Sequence, residues 1–467
     1  MNKRYALFCG GGYSEAEEFL NYVKTKYGND AYNDIAFALS KDDVSDHAYL
    51  LDKPIKSLST CNLADVMLLV VCPEHEYMQL AARLRSKGMK EFTDFKWYKF
   101  YDKKVCLINA NCHGPLLKLG LLMHPAFTEE YTIHPHMALA GYMPQGMHTP
   151  LEDDLLANVD CVLMQHMQPE NSMSPSYSDE NVSKKISSNA KVIFIPNFYA
   201  WGTGIYQTQT LNILKGWDGS DAFYEDTLLN LAYEQAWRKD IKTILQFIEN
   251  YEMNSATIHE KFEQMIEHLK KREKTWNIKI IDWMASNYKR VPIYNDLGHP
   301  AAIVMWWVCK AVLYLLGIPS DDTLQEVYER EYYMGLGGLI PPCVAETLGI
   351  EYARTVPIKR VNHEFMKENL RMKEQRDICY FSMDRVQYLQ DYYFVRYGEI
   401  LPYEKTFSRR VTKEDMIEAY RLFLGRLPGE SESSFENLRN LRDVEELRKI
   451  FVQTQEFQQF YESVNNQ

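Results

Sequence analysis

Residues 105–120, VCLINANCHGPLLKLG, constrain the fold more than any other stretch of the chain. Val105-Cys106-Leu107-Ile108 is an apolar run of strand length. Asn109-Ala110-Asn111 follows as a small-residue turn. Pro115 then opens an apolar-periodic segment through Leu116, Leu117, Leu119, Leu121 and Leu122. Proline suits the first turn of a helix, where its missing N–H costs nothing. The pattern predicts strand, tight turn and helix, with Cys112 at the helix N-terminus. Unpaired N–H groups and the helix dipole favour negative charge there. Two readings follow. Cys112 is a thiol that ionises readily, beside N–H groups able to hold a phosphate or an oxyanion. Alternatively it is a buried structural cysteine.

The same alternation begins earlier. Residues 5–9, 35–39 and 65–71 read as strands, and residues 15–26 and 77–87 as helices. Strands alternating with helices imply a doubly wound parallel sheet over residues 1–100. The turn Gly10-Gly11-Gly12 could approach a nucleotide's phosphates. The G-x-G-x-x-G spacing is absent, however, and Asp42 and Asp43 fall three or four residues past the second strand. A structural or docking Rossmann-like domain is therefore preferred to a nucleotide site, since any such turn favours glycine. Residues 92–104, FTDFKWYKFYDKK, interleave aromatics with lysines. That pattern suits single-stranded nucleic acid, but in an acidic chain it is read as an interdomain seam.

Net charge is −12, from 64 acidic against 52 basic residues, which argues against a nucleic-acid binder. Nine scattered cysteines form no C-x-x-C pair. With an N-terminus that reads as a first strand, they suggest free thiols and a cytoplasmic location. His124, His134, His136 and His148 lie close in sequence, but no cysteine or carboxylate stands at ligand spacing, so no metal is expected.

Further strands are expected at residues 130–133, 159–166 and 191–197. The second ends in Gln165 and His166, with Gln168 beyond, and the third in Asn197. Open α/β sheets place ligands at such ends. Residues 198–204, FYAWGTG, suit a pocket lining, and residues 225–290 read as charged helices. Residues 301–318, AAIVMWWVCKAVLYLLGI, are long enough to be weighed as a membrane span. Lys310 in their midst favours a buried core helix. Just before them, Asp296 and His299 have Asp-x-x-His spacing. This is either a carboxylate orienting a general-base imidazole or a helix-capping turn. Residues 346–410 form an irregular connecting region, and residues 411–467 a small helical appendage.

Three ordered blocks resemble a known family: Leu107-Ile108-Asn109-Ala110-Asn111-Cys112-His113; Asp160 to Gln165 with Ile195-Pro196-Asn197-Phe198-Tyr199; and Gly298-His299-Pro300. Residues 103–345 resemble the WcbI-type polysaccharide-biosynthesis acetyltransferases of bacterial capsule loci. That family usually has Gly-Asn-Cys-Gln in the first block, where this chain has Ala110 and His113. The resemblance implies coenzyme A, with acetyl-CoA as acyl donor, and a saccharide or nucleotide-sugar-type acceptor. It implies catalytic roles for Cys112, His299 and Asp296. It further implies cofactor contacts at Asn111, His113 and Gly114, and acceptor contacts at Gln165, Asn197 and Tyr199. No nucleic acid and no membrane span are expected, while peripheral association with glycan-assembly machinery is compatible with it. The block order is also similar to SGNH-type esterases, with Cys112 in place of serine. The Tyr-Arg-x-x-Leu-Gly-Arg-x-Pro pattern at 420–428 is similar to a small helical domain attached to bacterial surface and glycan proteins. The expected architecture is α/β: an N-terminal Rossmann-like domain, a central SGNH-like α/β domain with a large helical part, and a C-terminal helical domain. Two alternatives stand beside the acyltransferase: a thiol-nucleophile glycan esterase and a non-catalytic glycan-assembly scaffold.

Overall fold

Alternating strand and helix periodicities in the first 200 residues build two mostly parallel sheets flanked by helices. The computed structural model describes residues 4–9, 13–40, 48–57, 61, 63, 65–111, 113–137, 150–167, 175–198, 207–213, 222–236, 239–295, 299–331, 340–352, 358–361, 380–383, 385–397, 399, 401–403, 413–429, 432, 447 and 450–459. Gly10-Gly11-Gly12, Asp42, Asp43, His148, Gln168 and the glycines at 335, 337 and 338 lie outside the described residues. The chain divides into two units, Met1–Thr227 with Glu252–Arg385, and Leu228–Tyr251 with Val386–Gln467.

In the first sheet, β1 (Arg4–Cys9), β2 (Ile35–Ser40), β3 (Tyr49–Leu50), β4 (Lys53–Ser57), β5 (Val66–Val71) and β6 (Phe95–Trp97) run in the order β3-β4-β2-β1-β5-β6. Every neighbouring pair is parallel except β3 with β4. Strand alternation sends Leu7 and Cys9 to one face, under α1 (Tyr13–Asp34). Ala6 and Phe8 go to the other, with Tyr77 and Leu80 of α2 (Glu74–Ser86). The stretch read as a seam supplies the edge strand β6. Its alternating Phe95 and Trp97 are buried, and the Trp97 indole N–H donates to the Cys72 carbonyl at 3.0 Å. The aromatics are core, and the link to the next sheet begins only after them.

The second sheet holds β7 (Lys104–Asn109), β8 (Tyr131–Met137), β9 (Cys161–Met164) and β10 (Lys191–Phe194), all parallel, in the order β10-β9-β7-β8. Between them lie α3 (His113–Met123), α4 (Pro125–Glu130), α5 (Asp153–Asn158) and α6 (Asp179–Lys185). Cys106 and Ile108 of β7 pack toward α3. Val105 and Leu107 pack into the apolar layer that also holds Ala6 and Phe8, so the two sheets share one core.

Helices follow: α7 (Thr227–Gln235), α8 (Ile241–Glu249), α9 (Ser255–Glu273), α10 (Ile281–Asn287) and α11 (Ala302–Leu316). The long apolar run is α11, ended by Gly317 in the left-handed conformation at φ 78°. It packs on α3, with Trp307 and Tyr314 on its outer side and Lys310 paired to Asp322 at 2.6 Å. No helix among the described residues is long and apolar enough to cross a membrane. The contact with α3 is close at Gly120, where a Cβ would stand 2.3 Å from the Cys309 sulfur.

A buried ionic cluster ties the two sheets together. Glu91, fully buried before β6, accepts from the Tyr77 hydroxyl and the Arg85 guanidinium of α2, and its backbone N–H donates to Asp154 of α5 at 2.7 Å. His134 of β8 accepts the His136 N–H at Nδ1 (3.0 Å), so the ring proton sits on Nε2 and is donated to Glu91 at 3.1 Å. Burial alone would raise the Glu91 pKa. His134, Arg85 and Tyr77 outweigh it and hold the carboxyl below its usual range. His134 and His136 thus belong to a carboxylate cluster, and among the described residues no group is arranged to hold a metal ion.

The second unit is helical among its described residues. Tyr392 and Tyr393 donate to Asn230 Oδ1 (3.0 Å) and the Leu229 carbonyl (2.8 Å), and Asp240 caps α8 by accepting from the Thr243 N–H. Met416 and Ala419 pack with Leu447 and Phe451. Arg426 of the 420–428 pattern forks onto Glu432 at 2.7 and 2.8 Å and reaches Glu456 at 2.9 Å, fixing the turn after the helix Lys413–Leu424.

Gly120→Ala should lower stability by about 1–3 kcal/mol through overpacking against Cys309, read by urea unfolding. Acid should destabilise the fold from near neutrality. Burial, with His134 and Arg85 nearby, pushes the His136 imidazole down to about 3 from 6.5. Below pH 6.5 the unfolded chain binds a proton that the native ring refuses, so stability falls by about 1.4 kcal/mol per pH unit from this group. Glu91 adds a loss of the same sign below its usual 4.5, because its depressed native pKa keeps it ionised while the unfolded carboxyl protonates. His136→Phe should reduce the loss between pH 6.5 and 5, measured by urea melts at both values, leaving the smaller share of His124 and His268, whose pKa values burial also lowers.

Candidate active site

The order β10-β9-β7-β8 sets a topological switch. From β7 the chain crosses to β8 on one side, and β9 returns to the other. Ligands of open α/β sheets bind at the strand carboxyl ends beside such a switch. Here those ends carry Asn109 and Asn111 after β7, and Gln165 after β9.

Gln165 is the centre of the arrangement. It is fully buried, and its Oε1 accepts the Asn111 backbone N–H at 2.9 Å. Its amide nitrogen donates to the Pro196 carbonyl at 2.7 Å and meets His113 Nδ1 at 2.9 Å. These partners fix which end of the amide is oxygen and which is nitrogen. The two strand ends are also joined directly, by the Gln165 N–H to the Asn109 carbonyl at 3.0 Å.

At the start of α3, Asn111 acts as a cap. Its Oδ1 accepts the His113 N–H at 3.0 Å and its carbonyl accepts the Gly114 N–H at 2.8 Å. The N–H groups of Asn111, His113 and Gly114 are therefore all bonded within the protein. Gly114 lets the helix approach the strand, since a Cβ there would lie 3.3 Å from the Ile108 side chain. Asn109 donates to the Tyr177 carbonyl at 2.9 Å, while its buried Oδ1 has no protein partner.

His299 enters from a second direction. An antiparallel bridge between Tyr294 and Pro300 closes the loop, the Asn295 N–H donates to the His299 carbonyl at 2.9 Å, and α11 begins directly after. The Tyr294 hydroxyl donates to the Phe198 carbonyl at 3.0 Å, binding this loop to the segment that leaves β10. The rings of His113 and His299 then lie 6.3 Å apart at 82°, and Phe198 stands 6.0 Å from His113. Arg272, at the end of α9, interacts electrostatically with Tyr294; burial pulls its pKa below the usual arginine range.

Of the residues expected from sequence, the structure brings together Asn111, His113, Gly114, Gln165 and His299. Asn197 lies half-buried between Pro196 and Phe198. Cys112, Asp296, Gly298 and Tyr199 lie outside the described residues. His166 is anchored elsewhere, with Nδ1 on Asp179 at 2.5 Å, Nε2 on the Thr275 carbonyl at 2.9 Å and its ring stacked on Phe194. Sequence reasoning missed Tyr294, Arg272 and the acceptor role of the Pro196 carbonyl. The first two stand in helical or turn contexts with no motif of their own, and a carbonyl leaves no mark in sequence.

The switch point of this parallel sheet thus carries a buried polar network around Gln165 with two imidazoles beside it. Residues 105–321 match the family described as polysaccharide biosynthesis enzyme WcbI. Among solved structures, the chain is similar to one described as WcbI, a novel polysaccharide biosynthesis enzyme, in its native form without a disulfide bond between coenzyme A and a cysteine. The identity is 18%, the TM-score 0.36, and the match covers 46% of this chain and 70% of that one. No curated protein matches the chain.

Gln165→Leu keeps the volume but leaves the Asn111 N–H, the Pro196 carbonyl and His113 Nδ1 without their partner. It should cost about 1–3 kcal/mol in urea unfolding, and a loss near zero would mean that the network does not hold the turn.

Proposed function

We propose that the chain is a cytoplasmic, coenzyme A-dependent acyltransferase that moves an acetyl group from acetyl-CoA to a saccharide or nucleotide-sugar-type acceptor in surface polysaccharide biosynthesis. One observation carries this reading: the Asn111–Gln165–His113 network, with His299 beside it, at the switch point of a domain matched by a polysaccharide-biosynthesis family. The Rossmann-like reading of residues 1–100 and the SGNH-like reading of residues 103–345 belong to the same proposal.

In the direct route, His299 takes the proton of an acceptor hydroxyl as its oxygen attacks the thioester carbonyl. The C–S bond breaks, and the coenzyme A thiolate leaves and is protonated. In the alternative route, Cys112, activated by His299 with Asp296 orienting the imidazole, takes the acyl group first and then yields it to the hydroxyl. Asn197 and Tyr199 contact the acceptor in either case, and Gly114 keeps α3 close to the β7 end.

Calorimetric titration of coenzyme A and acetyl-CoA into wild type, Cys112→Ala and His299→Ala tests the reading. Wild type should bind in the micromolar range or tighter. Cys112→Ala and His299→Ala should keep that binding and lose acetyl transfer. No binding by wild type would sink the coenzyme A reading. Release of free acid from an acylated glycan without coenzyme A would replace it with the esterase. Ping-pong kinetics would select the Cys112 route.

A further inference from the structure

His166 leaves β9 one residue after Gln165 and stands between two hydrogen-bond acceptors. Its Nδ1 meets the carboxylate of Asp179, the first residue of α6, at 2.5 Å. Its Nε2 meets the Thr275 carbonyl, just past the end of α9, at 2.9 Å. A peptide carbonyl only accepts. Asp179 uses its other oxygen to accept the Met167 N–H at 2.8 Å, as a carboxylate does. A neutral imidazole has one N–H and one bare nitrogen. It can serve one of these partners and turns a lone pair toward the other. Both bonds are made only when both nitrogens carry a proton, and the ring is then a cation.

The third neighbour of the ring agrees. Phe194, the last residue of β10, lies against it with centroids 4.1 Å apart and planes within 6°. The face of an aromatic ring attracts a cation held over it. Asp179 is the charged group that meets the ring. On the same elements, Glu180 pairs with Lys184, Glu273 accepts the Ile280 and Ile281 N–H groups, and Lys279 donates to the Trp276 carbonyl.

Thr275 opens a turn that docks on β10. The Asn277 N–H donates to the Phe194 carbonyl at 2.9 Å, and Asn277 Oδ1 accepts the Phe194 N–H at 2.6 Å. Between them, Trp276 packs edge-on against Phe198 at 5.9 Å, and Phe198 stands 6.0 Å from His113. The group that His166 holds through Thr275 therefore backs one wall of the candidate site.

We propose that His166 is a proton-dependent latch: as an imidazolium it clasps α6 and the turn after α9 to the exit of β9, and on losing a proton it releases Thr275 and loosens the Trp276–Phe198 wall. The proton that leaves is the one on Nε2, because the bond from Nδ1 to a carboxylate is charge-assisted and the bond to a carbonyl less so. The latch is closed at the acid side of the ring's titration and opens as pH rises through it. It does not depend on the acyltransferase reading.

The test reads nitrogen-15 NMR of the histidine-labelled full chain from pH 6 to 9 beside hydrogen–deuterium exchange of residues 274–280, corrected for the intrinsic effect of pH on exchange. The His166 signals are identified by their loss in His166→Gln and, in wild type alone, by cross-relaxation with the Phe194 ring. At pH 6 both nitrogens should carry protons. At pH 9 Nε2 should be bare, and the turn should have lost about tenfold in protection, the worth of one hydrogen bond to a charged group. His166→Gln, which has no cation to share between the two acceptors, should show the weaker protection at both pH values. A bare nitrogen at pH 6 overturns the imidazolium. Loss of the Nδ1 proton first overturns the release of Thr275. Protection that does not follow the His166 titration in wild type overturns the latch, whether or not the variant folds.

Discussion

The Glu91 carboxylate is the interaction on which the larger unit turns. It lies fully buried between the sheets and gathers Tyr77, Arg85 and His134, while its own N–H reaches Asp154. A buried ion is costly unless it is paired and its remaining lone pairs are filled. Here the carboxylate's partners come from α2 and β8, so the charge is tolerated only when both are in place, and α5 is tied to the same residue through its backbone N–H. That condition sets β8 beside β7 and stacks the His134 ring on Phe100. The carboxyl edge of the second sheet, where the candidate site lies, is aligned by a charge buried between the two sheets.

At that edge the same economy operates with neutral groups. Gln165 makes three hydrogen bonds around its amide, and each holds a different segment: the turn, the start of α3 and the exit of β10. Buried polar networks rigidify when every member is satisfied. The result is a βα turn in which the N–H groups of Asn111, His113 and Gly114 are internally bonded and the Gln165 and His113 side chains are held in set orientations. His299 meets this rigid turn from a loop closed by its own bridge and tied down by Tyr294. Preorganisation of this kind suits a site that stabilises charge appearing during a reaction.

Much of this was legible in the sequence because it is local. The apolar run of β7, the small turn and Pro115 near the start of α3 are all within a dozen residues. The run that forms α11 was recognisable as a core helix from Lys310, which finds Asp322 at the helix surface. The short strands β3, β4 and β6 were not visible, since two to five residues give no periodicity to read. The aromatic stretch at 92–104 looked like a linker because its lysines mask an alternation that buries Phe95 and Trp97. His134 and His136 could be seen to share a strand, but Glu91, 43 residues from His134, could not be seen as their partner.

The sequence by itself determined the parallel α/β architecture, the turn with Asn111 and His113 at the head of α3, and the Gly-His-Pro segment before α11. Periodicity, capping and proline placement act between near neighbours, so these features are written in consecutive residues. Only the tertiary structure decided which groups meet. Gln165 stands 54 residues from Asn111 and 52 from His113, and the Pro196 carbonyl 31 residues further on. A hydrogen bond forms only at short range and in the right direction. Which imidazole nitrogen carries a proton, and which N–H groups remain for a ligand, therefore follow from strand order and packing, and no reading of the residues one after another contains them.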